Sequence, residues 1–490
     1  MDPASSDPDG TTGTPATPSA APRPHRRSHS TSSDIARYAD LFAARTLVMR
    51  SSAMRDLMEI TARPEVISLA GGLPDTSTFP PASFAAQMTR IAQKSSASAL
   101  QYGPTEGFAE TKAVICDVMA AEGMSPDPED VIVTTGGQQA IDLICKALID
   151  PGDIIIAEGP TYPGAVPVFC SYEADTRQVG MDSEGMRIDE LEELLAELDR
   201  EGRRPKFIYS VPTFQNPGGV TMSLERRRRL VAIAREREIL VVEDNPYGLL
   251  RYDGDRQVPL YSLDGGDYVL YVGTLSKILS PGIRVGWACA PPPVMAKIVL
   301  GKQAADLCTS TLSQYFVREY FGEGRWLDYI AELSRIYSAR RDAMLEALGR
   351  YFPRQATWSE PDGGLFVWAT LPDYINTTDL LAKALRDNVA FVPGQAAFVD
   401  GRGSASMRLN FSAQTEDEIR EGIRRIGAVI DEQVSLYETM TGERRITPPA
   451  SSASRPGADG PEADPGDGPA GDVVPFQRRE RSEPPRGEGS

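Results

Sequence analysis

Short apolar runs alternate with longer stretches of helical periodicity through the middle of the chain. Five runs are typical of buried strands, because turn or helix signals bound each one: residues 131–135, 154–157, 207–211, 240–243 and 269–272. Residues 223–238, which begin with a serine and carry arginines on the polar face, predict a helix between two of these strands. The alternation predicts an α/β fold whose large sheet is mostly parallel and flanked by helices.

The pattern changes after about residue 310. Helical periodicity at 334–348 precedes two alternating segments, 363–369 and 406–411, which predict strands of a smaller α+β domain. We expect residues 81–310 to form the large domain and residues 311–440 the small one, with residues 35–80 packed against the small domain. Residues 1–34 and 446–490 are rich in Pro, Gly, Ser and charged residues, so they predict disordered tails.

Composition excludes several classes of function. The formal charge of −18, from 51 basic and 69 acidic residues, disfavours a nucleic-acid partner. The five cysteines form no CxxC pair and no long apolar segment is present, so we expect a cytoplasmic protein without a membrane or metal site. The two histidines, His25 and His29, lie in the N-terminal tail, which excludes a Ser-His or Cys-His catalytic pair from the folded body.

Lys277 and Asp244 both follow predicted parallel strands, whose carboxyl ends meet at one edge of the sheet. Either residue alone has an ordinary interpretation, as a solvated lysine or a turn residue. Together they indicate pyridoxal phosphate. A lysine amine forms a Schiff base with the cofactor aldehyde, and a carboxylate keeps the ring nitrogen protonated.

Other residues near these strand ends suit a phosphate. Gly136, Gly137 and Gln138 follow a strand and begin a helix, which aims backbone N–H groups at an anion, although an ordinary strand-to-helix turn has the same pattern. Arg284 could bind the same phosphate through two N–H groups or lie on a solvated turn. The hydroxyl groups next to this segment belong to Thr274 and Ser276.

Motifs along most of the chain resemble those of one enzyme family. They are Ser68-Leu-Ala-Gly-Gly-Leu-Pro74, Gln101-Tyr-Gly-Pro-Thr-Glu-Gly107, Gly136-Gly-Gln-Gln139, Pro160-Thr-Tyr162, Gln215-Asn-Pro217, Asp244-Asn-Pro-Tyr247, Ser276-Lys277, Gly363-Gly-Leu-Phe-Val-Trp368 and Arg408-Leu409. The chain resembles the fold-type I, class I/II pyridoxal-phosphate aminotransferases, in their 2-aminoadipate aminotransferase-like branch. The resemblance implies an aspartate aminotransferase-like fold with a sheet of the seven-stranded type.

The resemblance also implies roles for individual residues. Lys277 would bind the cofactor and carry protons, Asp244 would pair with the ring nitrogen, and Tyr162 would stack on the ring. Asn216 and Tyr247 would contact the ring hydroxyl, and Tyr247 is also counted with the catalytic residues. The phosphate would be held by Gly136, Gly137, Gln138, Thr274, Ser276 and Arg284. Tyr102 would reach the phosphate of a neighbouring subunit, which implies a homodimer with shared active sites.

Four residues are implied to contact the substrate. Arg408 matches the substrate carboxylate in geometry and charge, with Gly72 and Asn216 beside it. In similar enzymes an arginine at the position of Arg55 can face a distal carboxylate, and a surface helix arginine is the alternative. Nearby apolar residues would admit apolar or aromatic side chains.

The resulting hypothesis is an aminotransferase that moves an amino group between an L-amino acid and a 2-oxo acid by a ping-pong mechanism. We expect 2-oxoglutarate and glutamate to be one substrate pair. One alternative is another pyridoxal-phosphate reaction, such as decarboxylation or elimination. The other is a non-catalytic regulator with an aminotransferase-like domain, which the short Pro- and Ser-rich segment before Met54 disfavours.

Overall fold

The computed structural model describes residues 38–49 and 63–442. Residues 38–47 belong to a separate unit, in which the 3₁₀ turns Ala39–Leu41 and Ala44–Leu47 are exposed. The predicted tails at 1–34 and 446–490, both histidines and Arg55 lie outside the described residues. Residues 63–442 belong to the second unit, which contains the sheets, the helices and the candidate site.

An eight-stranded sheet forms the centre of this unit. In spatial order its strands are β2 (Val131–Thr134), β9 (Gly286–Cys289), β8 (Val269–Thr274), β7 (Leu240–Asp244), β6 (Pro205–Ser210), β3 (Ile154–Gly159), β4 (Asp175–Asp182) and β5 (Gly185–Met186). Five neighbouring strands, from β8 to β4, are parallel, whereas β9 is antiparallel to both of its neighbours. The predicted mostly parallel sheet is therefore confirmed, and the two-residue β5 is an antiparallel addition to it.

Helices cover this sheet and build the rest of the unit. In the described ranges they are α1 (Pro81–Lys94), α2 (Ser96–Ala99), α3 (Ala109–Ala121), α4 (Gly137–Leu148), α5 (Val166–Ser171), α6 (Ile188–Arg200), α7 (Leu224–Arg237), α8 (Leu260–Asp264), α9 (Pro292–Asp306), α10 (Thr311–Gly322), α11 (Trp326–Tyr351), α12 (Thr377–Ala384) and α13 (Glu416–Thr441). Helix α7 is the one predicted at 223–238, and the Ser223 hydroxyl caps it by accepting from the Arg226 N–H.

The sheet separates two apolar cores because successive strand side chains point to opposite faces. Ile132, Ile155 and Val242 pack on one face with residues of α4, α5 and α9, whereas Val133 and Ile156 pack on the other with residues of α3, α6 and α7. Burial on both faces explains why the central strands read as continuous apolar runs in the sequence.

A second, antiparallel sheet contains β10 (Thr357–Trp358), β11 (Phe366–Thr370), β14 (Ser406–Asn410) and β13 (Val392–Pro393). The two strands predicted at 363–369 and 406–411 are β11 and β14. Strand β1 (Ile67–Ser68) pairs with β12 (Val389–Ala390), and α10 packs on α1 and α3. The predicted boundaries between the large and small domains stay predictions.

No helix among the described residues is both long enough and apolar enough to cross a membrane. The cytoplasmic location stays a prediction.

Candidate active site

A cavity of about 680 Å³ lies beyond the carboxyl ends of β6, β7 and β8. The edge of a parallel sheet where the strands end is the usual place for a ligand in such folds. Most of the predicted site residues line this cavity: Gly72, Gly137, Gln138, Tyr162, Asn216, Asp244, Tyr247, Thr274, Ser276, Lys277, Arg284 and Arg408. Ala70 and Arg408, which are 338 positions apart in sequence, also line this one site.

Lys277 lies just after β8 and projects into the cavity. Its Nζ atom donates a 2.5 Å hydrogen bond to the backbone carbonyl of Gly72. Burial, together with the positive charges of Arg408 and Arg284, lowers the pKa of Lys277 to about 8. A larger fraction of this amine is therefore neutral at physiological pH than for an ordinary lysine, as covalent or proton-transfer chemistry requires.

Asp244 is the last residue of β7 and only 6% exposed. One of its carboxylate oxygens accepts a 2.5 Å hydrogen bond from the hydroxyl of Tyr209. Burial raises the pKa of Asp244 to about 6, although the Tyr209 hydrogen bond opposes this shift. Within residues 63–442, no lysine or arginine forms a salt bridge with this carboxylate. A cationic ring nitrogen would supply the missing positive charge.

Asn216 joins two residues on opposite sides of the cavity. Its Nδ2 atom donates to the Tyr247 hydroxyl at 3.2 Å, and its Oδ1 atom accepts from Arg408 Nη1 at 3.0 Å. Asn216 and Tyr247 are both buried. The two ends of one amide side chain therefore hold a phenol and a guanidinium at fixed positions.

Arg408 lies in the middle of β14 and is 1% exposed. Its Nη2 atom donates to the backbone carbonyl of Ala70 at 2.8 Å, and its guanidinium carbon lies 4.4 Å from the centre of the Phe366 ring. Burial lowers the pKa of Arg408 to about 10, so the side chain is still a cation at neutral pH. It presents a fixed positive charge that suits a carboxylate.

Another part of the cavity wall suits a phosphate. Gly136 has a φ of 79° and lies just before α4, so backbone N–H groups at the helix start face the cavity. A Cβ atom on Gly136 would lie 2.6 Å from Arg284 Nη2, so only glycine allows the guanidinium to lie this close. The hydroxyl of Thr274 donates to Ser276 Oγ at 2.9 Å beside them.

Tyr162 and Gln138 also form part of the cavity wall. The Tyr162 hydroxyl donates to Gln138 Oε1 at 3.4 Å, and Gln138 Nε2 donates to the backbone carbonyl of Gly164 at 2.7 Å. A Cβ atom on Gly164 would lie 2.4 Å from the Tyr162 ring. The close approach of this glycine therefore defines the position of the flat aromatic face.

Three predicted residues stand apart from this group. Gly136 does not line the cavity itself but touches it through Arg284. Tyr102 is 78% exposed and outside the cavity wall, and Arg55 lies outside the described residues.

Tyr209 is a residue that the sequence analysis missed. It occupies an apolar run, where a tyrosine reads as part of the core. In the sheet Tyr209 pairs with Val242, which places it on the same face as Asp244 two residues further along β7. The sequence therefore indicates a contact between Tyr209 and Asp244 only when the pairing register of β6 and β7 is known.

The described residues fit pyridoxal phosphate. The cavity contains a lysine with a lowered pKa, a buried carboxylate without a cationic partner, and a glycine turn beneath an arginine. These groups match the aldehyde, the ring nitrogen and the phosphate of that cofactor, respectively.

Comparisons with known proteins agree with this geometry. Residues 64–426 match the family of class I and II aminotransferases. An aromatic-amino-acid aminotransferase from Thermococcus litoralis is 44% identical over 399 residues, covering 81% of this chain and 95% of that protein. A 2-aminoadipate transaminase from Thermus thermophilus is 39% identical over 392 residues, covering 79% of this chain and 96% of that protein.

A solved structure is similar over the same length. It is the α-aminoadipate aminotransferase LysN from Thermus thermophilus, in complex with N-(5′-phosphopyridoxyl)-L-leucine. The TM-score is 0.76 at 36% identity, and the match covers 81% of this chain and 99% of LysN. The predicted aspartate aminotransferase-like fold and the predicted cofactor are thus confirmed. The chain belongs to the class I and II aminotransferases and is a pyridoxal-phosphate-dependent transaminase.

Proposed function

We propose that this transaminase accepts amino groups from L-amino acids with apolar or aromatic side chains and from glutamate, with 2-oxoglutarate as an acceptor. The observation that carries the proposal is that the Lys277 amine and the Arg408 guanidinium line one cavity whose remaining described wall is largely apolar. The name of the Thermococcus relative, an aromatic-amino-acid aminotransferase, supports the aromatic donors.

In this proposal Lys277 is the covalent attachment point and the proton carrier. The bound cofactor withdraws electrons from the substrate α-carbon, so that the α-proton becomes acidic. Lys277 would accept this proton and release it again, since its pKa near 8 lets the amine act as both base and acid. Exchange of donor for acceptor on the same site gives ping-pong kinetics.

The geometry supports the other proposed cofactor contacts. Asp244 would pair with the ring nitrogen, and Asn216 and Tyr247, already hydrogen bonded to each other, would bind the ring hydroxyl. Tyr162 would stack on the ring. The phosphate would be held by Gly136, Gly137, Gln138, Thr274, Ser276 and Arg284.

Arg408 binds the α-carboxylate of the substrate in this proposal. Its contacts with Asn216 and Ala70 fix the guanidinium plane before the substrate arrives, which reduces the entropy lost on binding. Gly72 lies at the same wall and leaves room for the substrate backbone.

The lining of the cavity supports broad specificity for the substrate side chain. Among the described residues that line the cavity, the basic ones are Lys277, Arg284 and Arg408. The apolar wall includes Leu73, Ile141, Pro281, Val392 and Ala413. For the distal carboxylate of glutamate or 2-oxoglutarate we propose Arg55, on the sequence evidence alone.

We also propose a homodimer in which Tyr102 reaches the phosphate of the neighbouring subunit. Tyr102 and Leu100 are each 78% exposed. The Thr311 hydroxyl donates to the Ala99 carbonyl at 2.8 Å, which places them beside the start of α10, where Leu312 is also exposed. An exposed apolar patch of this kind suits a second copy of the chain.

The proposal can be tested by titrating the cofactor-loaded protein with single amino acids in the absence of an acceptor. A donor converts the visible absorbance band of the bound cofactor into the near-ultraviolet band of pyridoxamine phosphate. We expect conversion by phenylalanine, tyrosine, leucine and glutamate. If no amino acid converts the band, the proposed donors are wrong.

A variant separates the two kinds of donor. Arg55→Gln should raise the concentration of glutamate needed for conversion while the phenylalanine titration is unchanged. Equal effects on both donors would contradict the proposed role of Arg55.

A further inference from the structure

A polar cluster with one fully buried member, Lys302, contacts the turn at residues 135–137 and lies outside the lining of the cavity. It consists of Thr135, Gln139, Lys302 and Asp306, and we call it the 306 cluster. Thr135 lies in the turn just before α4 and Gln139 in the first turn of α4, whereas Lys302 and Asp306 lie near the end of α9. Neither Lys302 nor Asp306 lines the cavity.

Asp306 is the centre of the cluster. Its carboxylate accepts hydrogen bonds from the Thr135 hydroxyl at 2.9 Å, from Gln139 Nε2 at 2.7 Å and from Lys302 Nζ at 2.9 Å. Lys302 Nζ also donates to Gln139 Oε1 at 2.9 Å. The four side chains therefore form a closed network.

Every polar group of Thr135 has a hydrogen-bond partner, two of them in the cluster and the third in Arg284. The Thr135 N–H donates to Gln139 Oε1 at 2.8 Å, and its hydroxyl donates to Asp306. Its carbonyl accepts from Arg284 Nη2 at 3.0 Å. One residue thus connects the cluster to this arginine.

The charges in the cluster indicate that it holds neighbouring groups in position and does not attract the phosphate itself. The Lys302 side chain is fully buried and forms a salt bridge with Asp306. Burial acts to raise the pKa of Asp306, but hydrogen bonds from Gln139 and Lys302 outweigh it and the pKa is lowered. The carboxylate is therefore ionised at neutral pH. A negative charge near an anion site is electrostatically unfavourable for the anion, so direct attraction does not explain its position.

We propose that Asp306 is a positioning residue for the cofactor phosphate, which fixes the turn at 135–137 and, through the Thr135 carbonyl, the guanidinium of Arg284. The inference rests on the proposed placement of the phosphate at this turn. It assigns the cluster to phosphate recognition, in addition to any contribution to stability.

The test compares two cofactor forms on the full-length protein after removal of its cofactor. Pyridoxal phosphate and pyridoxal share the ring and the aldehyde, and only the first carries the phosphate. Dissociation constants for both are measured from the absorbance of the bound form. In Asp306→Asn the constant for pyridoxal phosphate should rise roughly tenfold, as expected for a lost hydrogen bond to a charged group. The constant for pyridoxal should change by less than about twofold, because this form has no phosphate to position.

Asp306→Asn also separates positioning from electrostatics. Loss of a negative charge near the turn would by itself strengthen phosphate binding. Weaker binding of pyridoxal phosphate therefore supports positioning, whereas stronger or unchanged binding overturns it.

A milder variant covers the case in which Asp306→Asn does not fold. Thr135→Val removes only the hydroxyl that donates to Asp306 and keeps the branched shape of the side chain. It should weaken binding of pyridoxal phosphate about threefold, in line with one neutral hydrogen bond. If the ratio of the two dissociation constants is unchanged in Thr135→Val, the proposal is wrong.

Asp264 provides a matched control. It is 2% exposed, accepts from the Tyr268 and Val269 N–H groups, and pairs with Arg235. Asp264→Asn should lower stability without changing the ratio. A wild-type protein that binds pyridoxal as tightly as pyridoxal phosphate would instead refute the proposed phosphate site itself.

Discussion

Tyr209 and Asp244, on the neighbouring strands β6 and β7, share a 2.5 Å hydrogen bond inside the protein. The phenol favours the ionised form of the carboxylate, whereas burial disfavours it, and the pKa of Asp244 is about 6. The carboxylate is thus ionised at neutral pH but at a cost in free energy, which a cationic ring nitrogen offsets.

The free-energy cost of ionising the buried Asp244 should be measurable in the cofactor-free protein. The pKa of Asp244 is about 6 in the folded chain against an ordinary value of 3.8. A raised pKa stabilises the folded state at low pH, and this contribution is lost as the pH rises from about 4 to about 6. The loss amounts to about 3 kcal/mol at roughly 1.4 kcal/mol per pH unit. In Asp244→Asn this pH-dependent contribution to stability is absent.

Urea unfolding of the cofactor-free proteins at pH 4 and pH 8 checks this prediction. The free energy of unfolding of Asp244→Asn, relative to wild type, should increase between the two pH values. Parallel pH profiles would show that Asp244 carries no buried charge. The same variant, loaded with cofactor, should lose most of its transaminase activity.

Cofactor attachment should depend on the pKa of Lys277, which is lowered to about 8. Only the neutral amine attacks an aldehyde. The rate of attachment should therefore rise with pH and level off above about pH 8, measured by stopped-flow absorbance. Lys277→Arg should abolish attachment and turnover, and Lys297→Arg, an exposed site on α9, should leave both unchanged. A rate that is independent of pH between 6 and 9 would contradict the lowered pKa.

Arg408→Lys should weaken substrate binding more than cofactor binding. A lysine supplies the charge but not the planar pair of N–H donors. KM for both the amino acid and the oxo acid should rise roughly tenfold to hundredfold, with an unchanged dissociation constant for pyridoxal phosphate. Arg341→Lys is the control, because Arg341 is also buried but pairs with Asp253. Its KM values should equal those of wild type, and a similar rise in both variants would point to a general loss of structure.

Two glycines separate backbone strain from crowding at the phosphate site. Gly136 and Gly123 have φ values of 79° and 86°, so alanine is strained at either position. Only at Gly136 would the added Cβ atom meet a neighbour, Arg284, since nothing lies within 4 Å at Gly123. Both alanine variants should lose about 1 kcal/mol of stability, and only Gly136→Ala should bind pyridoxal phosphate more weakly. Equal affinities of the two variants for pyridoxal phosphate would show that crowding of Arg284 by the added Cβ atom does not weaken binding.

The sequence predicted those parts of the fold and site that depend on local pattern. The five buried strands have continuous apolar runs; Asp244 ends one of these strands, and Lys277 follows the end of another by three residues. Because parallel strands end at one edge, position in the sequence was enough to bring these residues together.

The other parts of the site depend on contacts that no local pattern encodes. Tyr209 required the register of β6 on β7, and Asp306 required knowledge of which side of α9 meets the start of α4. A helical periodicity identifies the apolar face of α9 but not the partner of its polar residues.

The parts of the site are synthesised in a fixed order, in which Arg408 comes late. The segment at residues 70–72, Asp244 and Lys277 all leave the ribosome before β14, whose arginine donates to the Ala70 carbonyl 338 residues earlier in the chain. The proposed carboxylate-binding group is therefore synthesised after the residues proposed to bind the cofactor. A nascent or truncated chain that ends before residue 408 contains those residues but lacks the one proposed to bind the substrate α-carboxylate.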